Sequence, residues 1–117
     1  MTAPNIVNVT TIIGKTAVQQ VTTSATAIVT NSSGSNKVFK INALYVANVD
    51  GTNAADISVA LFRSSVSYEL AHTVSVPADA TLDVISKSIY LEEGDELRLT
   101  ASANSDLEAV CSYEEIS

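Results

Sequence analysis

Tryptophan is missing from this sequence, histidine and cysteine occur once each, and glycine occurs only four times in 117 residues. Each scarcity removes a class of chemistry. A single Cys111 cannot close an intrachain disulfide, and a catalytic thiolate would need a histidine partner and basic neighbours to lower its pKa. Within "LEAVCSYEEI" it falls in phase with Leu107, Ala109 and Tyr113, which reads as a small buried hydrophobe. Glycines at 14, 34, 51 and 94 are too scattered to build a phosphate-cradling loop. His72, alternating with Leu70 and Val74 on a strand-like run, reads as a surface or satisfied core residue, and no G-x-S-x-G elbow accompanies it. No catalytic residue, cofactor-binding residue or metal ligand is assigned, no cofactor is expected, and enzymatic function is disfavoured.

Positive charge is also scarce. Six basic side chains face thirteen acidic ones, a net charge of −7. The imbalance lies in one half: Lys15, Lys37, Lys40 and Arg63 outnumber Asp50 and Asp56 up to residue 68, whereas eleven acids from Glu69 onward meet only Lys87 and Arg98. Such a surface repels phosphate backbones, and no basic patch with interleaved aromatics appears, so nucleic acid is not an expected partner. The acidic half reads as a solvated face; a sharper reading lets acidic edges meet basic edges on neighbouring copies. "MTAPNIVNV" lacks the basic and apolar regions of a signal peptide, and no apolar run approaches the ~20 residues of a membrane span. A soluble chain with no membrane partner is expected.

What remains is abundant Val, Ile, Thr and Ser, the vocabulary of strands and turns. The length fits one domain, 1–117. Strands punctuated at the spacing of a sandwich follow one another. "NIVNVTTII" (5–13) ends at Gly14; 17–30 is one long strand or two short ones; "NSSGSN" (31–36) is a loop. "KVFKINALYVANV" (37–49) places Phe39, Ile41, Ala43, Tyr45 and Ala47 on one face, with a wet beginning and a covered middle, as a central strand would. Asp50-Gly51 supplies a positive-φ turn, "DISVALFRS" returns with Ile57, Val59 and Leu61 inward, and "SYELAHTVSV" closes at Pro77. "TLDVISKSIYL", "ELRLTAS" and "LEAVCSYEEI" complete the set. The expected fold is all-β, an antiparallel two-sheet β-sandwich of about eight strands, either jelly-roll or immunoglobulin-like.

One cluster invites a functional reading. "LEEGDE" places Glu92, Glu93, Asp95 and Glu96 within five positions. Gly94 sits between Ile89 and Leu91 on one side and Leu97 and Leu99 on the other, all in strand phase, so the cluster reads as a hairpin tip with its carboxylates in water. Neither "EEGDE" nor "DGTNAAD" has calcium-loop spacing. The sequons "NVT" at Asn8 and "NSS" at Asn31 read, without secretion, as polar strand and loop.

Taken in order, "YVAN" before a D-G turn, "VPA" before an apolar hairpin with a "LEEGD" turn, and a final "SYEEI" resemble small virion structural proteins of tailed bacteriophages, particularly the marine cyanophage type. The resemblance covers residues 38 to 116. It implies a non-enzymatic capsid decoration, neck or tail accessory module, acting in many copies through contacts with other virion proteins, assembled in the host cytoplasm and resident in the virion. Homo-oligomers follow from that role. It implies no catalytic residues. The alternative is a receptor- or carbohydrate-binding sandwich at a fibre tip; the lack of Trp and the placement of most Tyr within strands favour the structural class. Either segment 1–13, as a docking or edge strand, or the acidic C-terminal strand is the expected contact.

Overall fold

The computed structural model describes residues 4–117 and is all-β. Among the described residues there are nine strands: β1 (Ile12–Gln20), β2 (Thr26–Thr30), β3 (Val38–Asn48), β4 (Ala55–Arg63), β5 (Val66–Val76), β6 (Thr81–Asp83), β7 (Ile89–Leu91), β8 (Glu96–Ala101) and β9 (Leu107–Ile116). They form two antiparallel sheets. One runs β1-β9-β3-β6, with β7 also on β3; the other runs β2-β8-β4-β5. First therefore pairs with last, second with second-last, and so inward to the β4–β5 hairpin: a long antiparallel ribbon rolled up on itself. That is the jelly roll, and it decides between the two sandwiches left open by the sequence.

β6 and β7 occupy one position in this scheme. β7 pairs Phe39, Lys40 and Ile41 with Leu91, Tyr90 and Ile89, and β6 pairs Tyr45, Val46 and Ala47 with Asp83, Leu82 and Thr81. The strand expected over "TLDVISKSIYL" is thus one sheet position broken in the middle, where residues 84–88 span the gap opposite 42–44.

The core lies between the sheets and is aliphatic. Ile41, Leu44, Val46, Ile57, Val59, Leu91, Leu97, Leu99 and Leu107 are fully buried in it, each worth about 1.5–3 kcal/mol relative to exposure. Its route along β3 corrects the expected face. Opposite β9 the register slips between Ile41 and Ala43, so Asn42 is an extra residue and the inward phase changes from Phe39 and Ile41 to Leu44, Val46 and Asn48. Tyr45 consequently points out and is 45% exposed. A bulge of this kind inverts the side-chain phase of everything after it.

Other expectations are corrected too. The first strand does not cover 5–13; it begins at Ile12 and runs through Gly14 to Gln20, with the break falling at residues 21–25. Before Thr11, which still pairs with Ser117, no strand lies beside the segment among the described residues. Thr10 and Thr11 instead donate to the Ser117 carbonyl at 2.8 and 2.9 Å, and Pro4 and Ile6 share a cleft with Val38 and Tyr90. That cover explains why the start of β3, expected to face water, has Val38 only 7% exposed. The strand at this sheet edge spans 12–20 rather than 1–13; of the 1–13 segment, Met1 to Ala3 lie outside the described residues. Gly51 does not take a positive φ. Its turn is built by Asp50, whose carboxylate accepts from the amides of Thr52 and Asn53 at 2.8 and 3.3 Å.

Candidate functional site

The acid cluster is the first place to look for chemistry. Gly94 stands at φ +91°, the left-handed position that the turn requires. Asp95 does not lie in water as expected for a hairpin tip: its side chain is 2% exposed. Arg63, at the end of β4, donates from Nε to Asp95 Oδ1 at 2.8 Å and from Nη2 to Oδ2 at 2.5 Å, while Nη2 also reaches Glu92 Oε2 at 2.8 Å. The Glu92 amide adds a further bond to Asp95 Oδ2 at 2.8 Å. These carboxylates raise the guanidinium pKa above its ordinary value, first through the hydrogen bonds to Asp95. Glu93 accepts from the Asn36 amide at 3.0 Å, and Glu96 holds Arg98 at 2.9 Å, whose guanidinium stacks 3.4 Å above the Phe62 ring. Every acid of the cluster is thus engaged within the chain: Glu92, Glu93 and Asp95 around the turn, and Glu96 along β8.

Two buried asparagines tie loops to strands in the same manner. Asn31 donates to the carbonyls of Lys37 and Leu91 at 2.9 and 3.0 Å and accepts from the Ser35 hydroxyl. Its backbone clasps the acid turn, donating to Asp95 O at 2.9 Å and accepting from Gly94 N at 2.7 Å. Asn31 is fully buried, which closes its sequon to modification. Asn48 donates to the carbonyls of Asn53 and Val76 at 3.0 and 2.9 Å and accepts from the Asp50 amide at 2.9 Å. Leaving such groups unpaired in the interior would be costly, and neither is left so.

Glu115 forms the third tie. It sits on β9 between β1 and β3, with its side chain 11% exposed, and binds Lys37 at 2.7 Å and Lys15 at 2.9 Å. The hydrogen bonds from Lys37 and then Lys15 hold its carboxyl below the usual glutamate range, and the same contact raises Lys15.

The two residues considered for nucleophilic chemistry take no part in these ties. Cys111 is fully buried in the core, where desolvation pushes its thiol up to about 11. His72 is on the surface with its side chain 71% exposed, 3.4 Å from Glu69. Arg63 stands in no motif, Asn31 only in a sequon, and Asn48 and Glu115 in "YVAN" and "SYEEI", segments that assign them no role; polar residues beside apolar runs were the only signal of these ties.

Neither the known family models nor the curated proteins yield a match. Solved structures do. A structure from the Bacillus endospore appendages, which form disulfide-linked pili, aligns with 92% of this chain and 88% of its own at TM-score 0.53 and 13% identity. The nucleoplasmin-like N-terminal domain of Drosophila FKBP39 aligns with 87% of this chain and 85% of its own at TM-score 0.44 and 16% identity. A pentameric capsid protein isolated from metagenomic phage sequences aligns with 97% of this chain and 64% of its own at TM-score 0.41 and 18% identity. At 13% identity the likeness to the appendage structure is one of fold alone.

Proposed function

We propose that the chain is a non-enzymatic structural module of a bacteriophage virion, acting in many copies through protein–protein contacts as a capsid decoration, neck or tail accessory component. One observation carries this reading: each segment behind the resemblance to phage virion proteins is an internal tie of the jelly roll. "YVAN" contributes Asn48, which holds the "VPA" step through Val76 O. "LEEGD" contributes Asp95 and Gly94, clasped by Arg63 and Asn31. "SYEEI" contributes Glu115, which binds Lys15 and Lys37. What the motifs specify is a scaffold, so their joint presence supports a scaffold's role.

A chain of similar fold comes from the Bacillus endospore appendages that form disulfide-linked pili, which is compatible with a multi-copy part. Assembly in the host cytoplasm and residence in the virion follow from the reading. Quantitative mass spectrometry of purified particles tests it: many copies in a fixed ratio to the capsid protein support it. A handful per particle would favour a receptor-binding fibre tip, and none would overturn it.

A further inference from the structure

Sheet edges are where a β-protein meets other chains, because they carry amide and carbonyl groups without ladder partners. This sandwich has four edge positions: β1 and β6/β7 in one sheet, β2 and β5 in the other. Three of them are broken. β5 carries two register shifts against β4 and a left-handed Thr73 at φ 47°. β2 is five residues long and shifts between Ala27 and Val29, and β6 and β7 are three residues each. β1 is different: its nine residues keep a single register with β9, from Ile12 opposite Ile116 to Gln20 opposite Glu108.

The direction of its backbone groups follows from the bonds at its two ends. Thr11 and Ser117 exchange both backbone hydrogen bonds, and Val21 donates to Leu107, so in this register odd-numbered residues turn their amides to β9. Ile12, Gly14, Thr16, Val18 and Gln20 therefore aim theirs at the free edge, and among the described residues nothing meets them. The segment before β1 leads away from that edge, toward the cleft beside Val38 and Tyr90.

Side chains along β1 add two facts that one copy does not explain. Gly14 lies inside a strand without positive φ, and a Cβ there would meet nothing within 4 Å, so the chain's own fold does not call for glycine at this position. Glycine inside a strand often marks a bulge or a place where another backbone comes close, and β1 carries no register shift. Val18 is 75% exposed on the outer face. In a chain of net charge −7, β1 holds no carboxylate, and its one cation, Lys15, is drawn back to Glu115 at 2.9 Å. Two acidic molecules can approach here without like charges meeting.

We propose that β1 pairs antiparallel with β1 of a second copy, about a twofold axis at Thr16. The proposal rests on the many-copy reading above and specifies one of its contacts. Residue 16 is the midpoint of Ile12–Gln20, so the overlap is complete. Thr16 faces its own counterpart, Gly14 faces Val18, and Ile12 faces Gln20. Five edge residues, each with one N–H and one C=O, then form ten hydrogen bonds, against about ten direct bonds in an ordinary protein interface. Val18 covers the space left by Gly14 of the other copy, Lys15 lies opposite Ala17 rather than another charge, and the outer faces of the two sheets continue into each other.

The pairing is tested by sedimentation of the full chain over a concentration series, with Thr16→Lys and Thr16→Glu alone and mixed. Thr16 is exposed with its amide at the free edge, so both variants keep the β1–β9 ladder, and an unchanged melting temperature checks this. Wild type dimerises; each variant places like charges opposite each other at the axis and weakens the dimer about tenfold or more. An equimolar mixture recovers it. A monomeric wild type at all concentrations overturns the pairing. So does association that neither variant weakens, and so does loss in both variants without recovery on mixing. A monomeric wild type with full copy number in particles would remove the β1 pair and leave the virion reading standing; a dimer absent from particles would do the reverse.

Discussion

Asp95 shows what a short motif can hide. Gly94 and the turn around it were legible, because apolar residues in strand phase flank "EEGD" on both sides. The burial of Asp95 was not, since its partner Arg63 lies 32 residues away on another strand and no local pattern links them. Asp95→Ala should destabilise the fold by about 2–3 kcal/mol by leaving the guanidinium and the Glu92 amide without their acceptor. Glu93→Gln, half-buried but still able to accept from the Asn36 amide through its side-chain oxygen, should change stability by less than about 0.5 kcal/mol. Gly94→Val should cost at least ~1 kcal/mol through its left-handed backbone. Chemical denaturation of the three variants checks the order; equal and large losses at Glu93 and Asp95 would mean that the cluster binds something.

Strands were legible wherever apolar and polar residues alternate, and illegible where both faces are apolar. "KINALYVANV" reads equally well in either phase, so only the bulge at Asn42 shows which residues enter the core. Deleting Asn42 should therefore leave Ile41, Leu44 and Val46 all inward on a regular ladder and keep the cooperative thermal transition, whereas inserting one further residue beside it should turn Leu44 and Val46 outward and abolish that transition. "NIVNVTT" alternates like a strand yet forms none, because alternation cannot reveal that no neighbour extends beside it. The β1–β9–β3 end is joined by Glu115, and this join depends on pH. Its depressed carboxyl contributes stability that is complete above its ordinary pKa of 4.5 and is lost as pH falls through the lower folded value. Lys15, raised from 10.5, contributes stability that is complete below that value and is lost as pH rises through the higher folded one. The stability gap between wild type and Glu115→Gln should be widest between these limits and close on acidification, as read from urea midpoints across pH.

The two-sheet architecture followed from composition and turn spacing, but the choice of jelly roll needed the strand order, which depends on pairings between distant segments such as β1 with β9 and β2 with β8. Net charge behaves similarly. The sequence shows an acidic second half, whereas the fold shows that part of it neutralises Arg63, Arg98, Lys15 and Lys37 internally. What the molecule then offers to others is mainly shape: a rolled sandwich, three broken edges and one regular one. A cryo-EM reconstruction of the intact particle tests the structural role most directly. The account predicts density for this jelly roll at many symmetry-related positions on the capsid, neck or tail, seated by contacts with other virion proteins; density confined to fibre tips, or none in the particle, would contradict it.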